Sequence, residues 1–233
     1  MAGADESRRV WDLPVRIVHW LLVAALVGAY ATHQAGVAYF EYHAWCGYTV
    51  VVLSAFRILW GFFGTRHARF TSFVRGPVAT GRYLADLARG RHPAHAGHNP
   101  LGAWMVVFLL AALFAQGVTG LFSNDEIFNT GPLYGFVSDD TSLVLTSWHR
   151  RIFDWILVAV LVHVAAVLAH RVLARQDLIG PMFTGRKPAG DVGDHEAITS
   201  SRLWLAVLLL AVVAGSVGWL VTHAPAAAVA SFE

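Results

Sequence analysis

Cysteine and charge are the two things this chain is short of. Cys46 is the only thiol, which rules out an intrachain disulfide, a cysteine-ligated iron–sulfur cluster and covalent porphyrin attachment through a CxxCH motif. Charged residues occupy 14% of the 233 positions, against roughly one quarter in soluble domains. With 56% hydrophobic residues and a mean hydropathy of +0.53, that scarcity excludes a water-soluble globule and indicates a membrane protein. The formal net charge is only +2, so the placement of charges matters more than their sum. Internal repeats and low-complexity tracts are missing too, although the tail "APAAAVASFE" reads as unstructured. Nothing in the pattern points to a nucleic-acid partner.

What is present is a set of apolar runs. A bilayer core of about 30 Å needs about twenty apolar residues in a helix. Five runs qualify, approximately Arg16 to Thr32, His43 to Phe63, Leu101 to Phe122, His149 to Leu173 and Leu203 to Thr222. The first lacks a small-residue cleavage site and ends in bulky and polar residues, so it reads as a permanent span and not a removable signal. The expected fold is an all-α bundle embedded in lipid. Basic residues in short loops mark the cytoplasmic side. Arg8, Arg9 and Arg16, then Arg66 to Arg91, then Arg175, Arg186 and Lys187 fall in three segments that should face inward. The stretches His33 to Tyr42 and Ser123 to Ser147 contain no Lys or Arg, and should face outward together with the C-terminus. The asymmetry fits every crossing and gives a multi-pass membrane protein with its N-terminus in the cytoplasm.

Two histidines mark the fourth run. His149 and His163 are fourteen residues apart, which is about 21 Å of helix and within about 40° of a whole number of turns. Both imidazoles therefore share nearly one face at two depths. Ionisable groups inside a membrane are costly and usually functional, and histidine is a haem-iron ligand. Two stacked haems, each taking a second histidine from another helix, account for the pattern. His19 on the first run matches the depth of His163. At the outer depth His43, at the head of the second run, competes with His33, fourteen residues after His19, and spacing leaves both open. The plainer alternative for any one of these histidines is an interhelical hydrogen bond.

The stretches "RVWDLPVRIVHWLL", "EYHAWCGYTVVVLSAFRILWGFFG", "HNPLGAWMV", "QGVTGLF", "HRRIFDWILVAVLVHVAAV" and "PMFTGRKP" together resemble the bacterial di-haem cytochromes b of the b561 type and the b-type cytochrome subunits of nickel–iron hydrogenases. The likeness covers roughly residues 8 to 188, and the ordered series is far more specific than any single motif. It implies a di-haem core in residues 1–188, followed by a segment, 189–233, carrying a fifth helix that four-helix members lack. The ligand set it implies is His19 with His163 for an inner haem b and His43 with His149 for an outer one. It also implies electron transfer between a quinone or quinol and a periplasmic redox protein, such as a c-type cytochrome or a hydrogenase. An oxidoreductase of the same build passing electrons from a small reductant such as superoxide to quinone, and a non-redox transporter or scaffold, are the alternatives.

Other residues invite lesser roles. Arg57, fourteen residues after His43, could pair with a haem propionate or snorkel to water. Arg16 beside His19 invites the same reading, and Arg150 and Arg151 beside His149 invite contact with propionates, an anionic partner or simple interfacial anchoring. Gly47 shares the face of His43, and Gly117 and Gly120 form a small-residue patch that would admit a macrocycle or another helix. His170 could replace His163. His67, His92, His95, His98, His195 and His223 lie outside the runs, where a solvated histidine is expected. Trp20, Trp45, Trp60, Trp104, Trp148 and Trp155 fit an aromatic belt. The acidic loop around Asp125 and Glu126 is a weak candidate for contact with quinone or with a basic partner.

Overall fold

The computed structural model describes residues 7–225. The expected unstructured tail falls, from Ala226 onward, outside the described residues. A short strand, β1 (Ser7–Arg9), leads into α1 (Leu13–Ala35) and α2 (Phe40–Phe63). Short helices α3 (Phe70–Phe73) and α4 (Pro77–Ala88) precede α5 (Pro100–Leu121), and α6 (Asp139–Leu173) is the longest. Then come α7 (Gly180–Thr184), β2 (Arg186–Pro188) and α8 (Leu203–Thr222). Helices α1, α2, α5, α6 and α8 are long and apolar enough to cross a membrane. They expose large apolar side chains such as Val27, Leu161, Val207 and Trp219, as lipid-facing surfaces must.

Caps set where several helices begin. Asp12 accepts a hydrogen bond from the Val15 amide at 2.8 Å and Asn99 Oδ1 accepts one from Gly102 at 2.7 Å. Each satisfies an amide that the helix cannot. Pro14, Pro77 and Pro100 sit in first turns, where a missing N–H costs nothing. Helix α6 starts ten residues before the expected His149. Its leading stretch, Asp139 to Trp148, is too polar to read as a span, but Asp139 and Asp140 complement the helix N-terminus.

The chain divides into two compact units. The first comprises Met1–His19, Arg57–Leu109 and Val158–Val207. In it β1 and β2 pair antiparallel, with Arg8 opposite Lys187, and the amides of Val10 and Trp11 both donate to the Gly185 carbonyl, at 2.8 and 3.1 Å. Gly185 adopts φ 79°, and a Cβ there would come within 2.8 Å of the Trp11 carbonyl, so the turn needs glycine. Asp12, 1% exposed, also accepts from Trp60 Nε1 at 3.1 Å and from the Thr65 hydroxyl. Trp60 is therefore a buried structural partner, contrary to the expected place in an aromatic belt.

The second unit comprises Trp20–Phe56, Leu110–Leu157 and Leu208–Glu233. Its core gathers Val51, Leu121 and Leu133, with Val217 and Leu220 of α8 packed against them. Tyr30 stacks on Phe153 at 5.8 Å, and the Ser142 hydroxyl donates to the Phe122 carbonyl at 2.7 Å. Because lipid is as apolar as leucine, such contacts hold helices together by close packing and polar bonds, not by water expulsion.

Candidate functional site

Three of the expected histidines meet in the second unit. The rings of His43 and His149 lie 6.3 Å apart, nearly perpendicular at 78°, and His33 lies 5.9 Å from His43. Their hydrogen bonds differ. His43 Nδ1 lies 2.9 Å from the Ala29 carbonyl and His149 Nδ1 lies 2.8 Å from the Gln116 carbonyl. A carbonyl only accepts, so each Nδ1 carries the proton and each Nε2 keeps its lone pair when the ring is neutral. Anchoring of this kind fixes the tautomer and orientation of a metal-binding imidazole. His33 is exposed.

The pair passes a simple test of fit. Taking the roughly 2.0–2.1 Å of an imidazole–zinc bond as a guide, two imidazoles bound to one metal atom have ring centres on the order of 6 Å apart. The observed 6.3 Å agrees. Gln116 donates its Nε2–H to His149 Nε2 at 3.1 Å, while its own Oε1 is buried with no hydrogen-bond partner. Gln116 thus occupies a lone pair suited to iron, at the cost of an unsatisfied carbonyl. Gly120 lets the ring in: a Cβ there would lie 2.9 Å from His149 Cε1. Gly117 serves packing, since its Cβ would strike Val51 Cγ2 at 2.4 Å. Open space surrounds Gly47. The roles of Gln116 and of Thr119, whose hydroxyl lies 3.4 Å from His149 Nδ1, were not anticipated. The signal was visible, for both are polar residues in an apolar run.

In the first unit His19 and His163 are both half-buried and close enough to feel each other's charge. His170 has other partners. Its Nδ1 donates to the Ala166 carbonyl at 2.9 Å, and its Nε2 accepts from Tyr83 at 3.2 Å and from Asn99 at 3.3 Å. Arg57 is 5% exposed, so it does not snorkel. Its Nη1 donates to the Ala68 carbonyl at 3.2 Å and it interacts with the charge of Asp12. Arg16 donates to the Phe183 carbonyl, tying two of the motif stretches together. In the second unit Arg150 is exposed and contributes charge near His149, while Arg151 lies 5.9 Å over the Trp148 ring.

Two histidines outside the spans are not solvated as expected. His67 is buried and bonds through Nε2 to the Glu196 carbonyl at 2.8 Å. His98 packs 4.7 Å from Trp11 and 4.5 Å from Phe73. Desolvation there, reinforced by the charges of Arg57 and Lys187, lowers its pKa to about 3. Asp125 has a structural task. Its Oδ1 accepts from the amides of Ile127, Phe128 and Asn129 at 2.8–3.0 Å. Desolvation raises its pKa, but these bonds prevail and hold it down at about 2.

Known proteins extend this picture. Proteins named "Probable Ni/Fe-hydrogenase B-type cytochrome subunit" from Azotobacter vinelandii and Rhizobium leguminosarum are each 27% identical to this chain, over 227 and 216 residues. Both alignments cover 78% of this chain, with 91% and 89% of the respective relatives. The "Probable Ni/Fe-hydrogenase 1 B-type cytochrome subunit" of Escherichia coli is also 27% identical, over 77% of this chain and 90% of that protein. No solved structure matches. The family model described as prokaryotic cytochrome b561 matches residues 10–185, three quarters of the chain and all four candidate ligands, and the chain belongs to that family.

Proposed function

We propose that this protein is a di-haem cytochrome that carries electrons across the bacterial inner membrane, between a quinone pool and a redox protein on the outer face. Family membership makes it a membrane electron-transfer protein with haem b. The finer reading gives one haem to His43 and His149 and the other to His19 and His163, with the N-terminus in the cytoplasm. Arg57, Arg16 and Arg150 are assigned to the haem propionates. The names of the relatives favour a nickel–iron hydrogenase as the outer partner over a c-type cytochrome.

One observation carries the reading: both imidazoles of the 6.3 Å pair are pinned through Nδ1 to main-chain carbonyls. When bound, haem supplies one-electron chemistry, and the protein sets its axial ligands and surroundings. Iron with two histidine ligands has no open position, so quinone must react at a haem edge.

The test is haem per polypeptide, by pyridine haemochrome assay, in single variants. His43→Ala and His149→Ala should each halve the haem content. His19→Ala and His163→Ala should each remove the other haem, and His33→Ala should change nothing. Loss of one haem from His33→Ala, with full content in His43→Ala, would overturn the ligand set.

A further inference from the structure

The connection between α2 and α5 carries a charge pattern that electron transfer does not call for. Between Phe70 and Asn99 stand Arg75, Arg82, Arg89 and Arg91 against a single acid, Asp86, and Asp86 is engaged by Arg91 at 3.5 Å. Arg75 and Arg82 line one cleft. Its volume is about 330 Å³, within the range of about 300–1,000 Å³ for ligand pockets, and its walls come from the end of α3, from α4 and from the stretch leading into α5.

The groups in these walls favour an anion. Arg75 Nη2 donates to the Ser72 carbonyl at 2.9 Å, which fixes the guanidinium and leaves its other donors free. Arg82 is exposed and pairs with no carboxylate among the described residues. His95, in the same wall, is held below its ordinary pKa by burial first and then by the charges of Lys187, Arg75 and His170, although its bond to the Pro93 carbonyl pulls the other way. The field in the cleft is therefore positive. Guanidinium groups match phosphate oxygens with paired N–H donors.

Depth selects the kind of anion. Pro100 both lines the cleft and opens the span α5, so the cleft lies at the end of a membrane helix. Trp104, one turn into α5 and exposed, donates its indole N–H to the Arg75 carbonyl at 3.2 Å. Tryptophan prefers the boundary between hydrocarbon and headgroups, which puts Arg75 at phosphate level. Helix α4 exposes Val78 and Leu84, as a helix lying in that boundary does. A second hollow, of about 370 Å³ and apolar, lies against the same short segment, lined by Phe70, Thr71, Val74 and Val107. Val107 is seven residues past Pro100, about 10 Å deeper into the span. A cationic seat at headgroup level thus has an apolar groove below it.

We propose that this part of the first unit binds one acidic glycerophospholipid, its phosphodiester on Arg75 and Arg82 and one acyl chain in the groove that reaches Val107. Basic pockets at the ends of membrane helices bind such headgroups. The lipid fastens the short helices α3 and α4 to the head of α5. The site is independent of the haem assignment.

The experiment is native mass spectrometry of the full haem-loaded chain, titrated in detergent with phosphatidylglycerol or with phosphatidylcholine of the same acyl chains. One phosphatidylglycerol per chain should bind roughly tenfold more tightly than phosphatidylcholine, and Arg75→Gln and Arg82→Gln should each remove about that advantage. Arg89→Gln, which deletes the same charge outside the cleft, should leave binding unchanged. Val107→Trp, which fills the groove without touching a charge, gives an independent reading and should weaken binding severalfold while both haem spectra persist. Equal affinity for the two lipids would overturn the site. Equal losses from Arg89→Gln and Arg82→Gln would reduce it to general attraction and overturn it as well. Displacement by equimolar inorganic phosphate would identify a free-anion site in place of a lipid one, and undiminished binding in Val107→Trp would overturn the seat for the acyl chain.

Discussion

At Gly120 a single methyl group is too many. A Cβ would sit 2.9 Å from the His149 ring, and that ring is held by the Gln116 carbonyl on a second side. Gly120→Ala should therefore lower the haem of the second unit, bringing the total toward one per chain in a pyridine haemochrome assay. Gly215→Ala, where nothing lies within 4 Å, should leave the total unchanged. His98 gives a pH signature. Its ordinary value of 6.5 falls to about 3 in the folded protein. Below pH 6.5 the unfolded chain therefore takes up a proton that the folded chain refuses. Linkage makes stability decline as the pH drops from 6.5 toward 3, and His67 is shifted the same way, mainly by burial. Thermal unfolding at pH 7.5 and 5.0 should show a loss of melting temperature that His98→Gln reduces. Neither burial was legible from sequence, because both residues lie outside the apolar runs and only tertiary packing decides whether such a residue meets water.

Helix starts were legible where an apolar run and a cap coincide, as in "HNPLG", in which Asn99 caps and Pro100 follows. The start of α6 was not, because its first turns are polar and belong to no span. Short α4 was missed for the same reason. Asp12 shows how much one cap residue can hold. It caps α1 and accepts bonds from Trp60 and Thr65. Asp12→Ala removes a cap worth about 1 kcal/mol and takes away the carboxylate that accepts from the Trp60 indole and the Thr65 hydroxyl, each such bond being worth about 0.5–1.5 kcal/mol. A loss of several degrees in melting temperature should follow, measured by thermal scanning, with Asp12→Asn intermediate because an amide oxygen can still cap.

For the molecule as a whole, the five spans were legible because length and hydropathy alone define them, and the motif series led to the family. The division into two units was not, since each unit draws its residues from distant parts of the chain. Orientation can be tested with thiol labelling. In a Cys46→Ser background, Glu126→Cys should react with a membrane-impermeant maleimide on intact cells. Arg89→Cys should react only after the membrane is opened. The reverse pattern would invert the topology. The pairing of β1 with β2 bears on timing. Arg8 meets Lys187 179 residues later, so at roughly 5–20 residues per second the head of the chain waits on the order of ten to forty seconds after emerging for its mate to be synthesised. Helices enter the bilayer during that interval, yet the clasp around Gly185 cannot shut. The first unit, which draws on residues as late as Val207, is therefore completed only after most of the chain has been made.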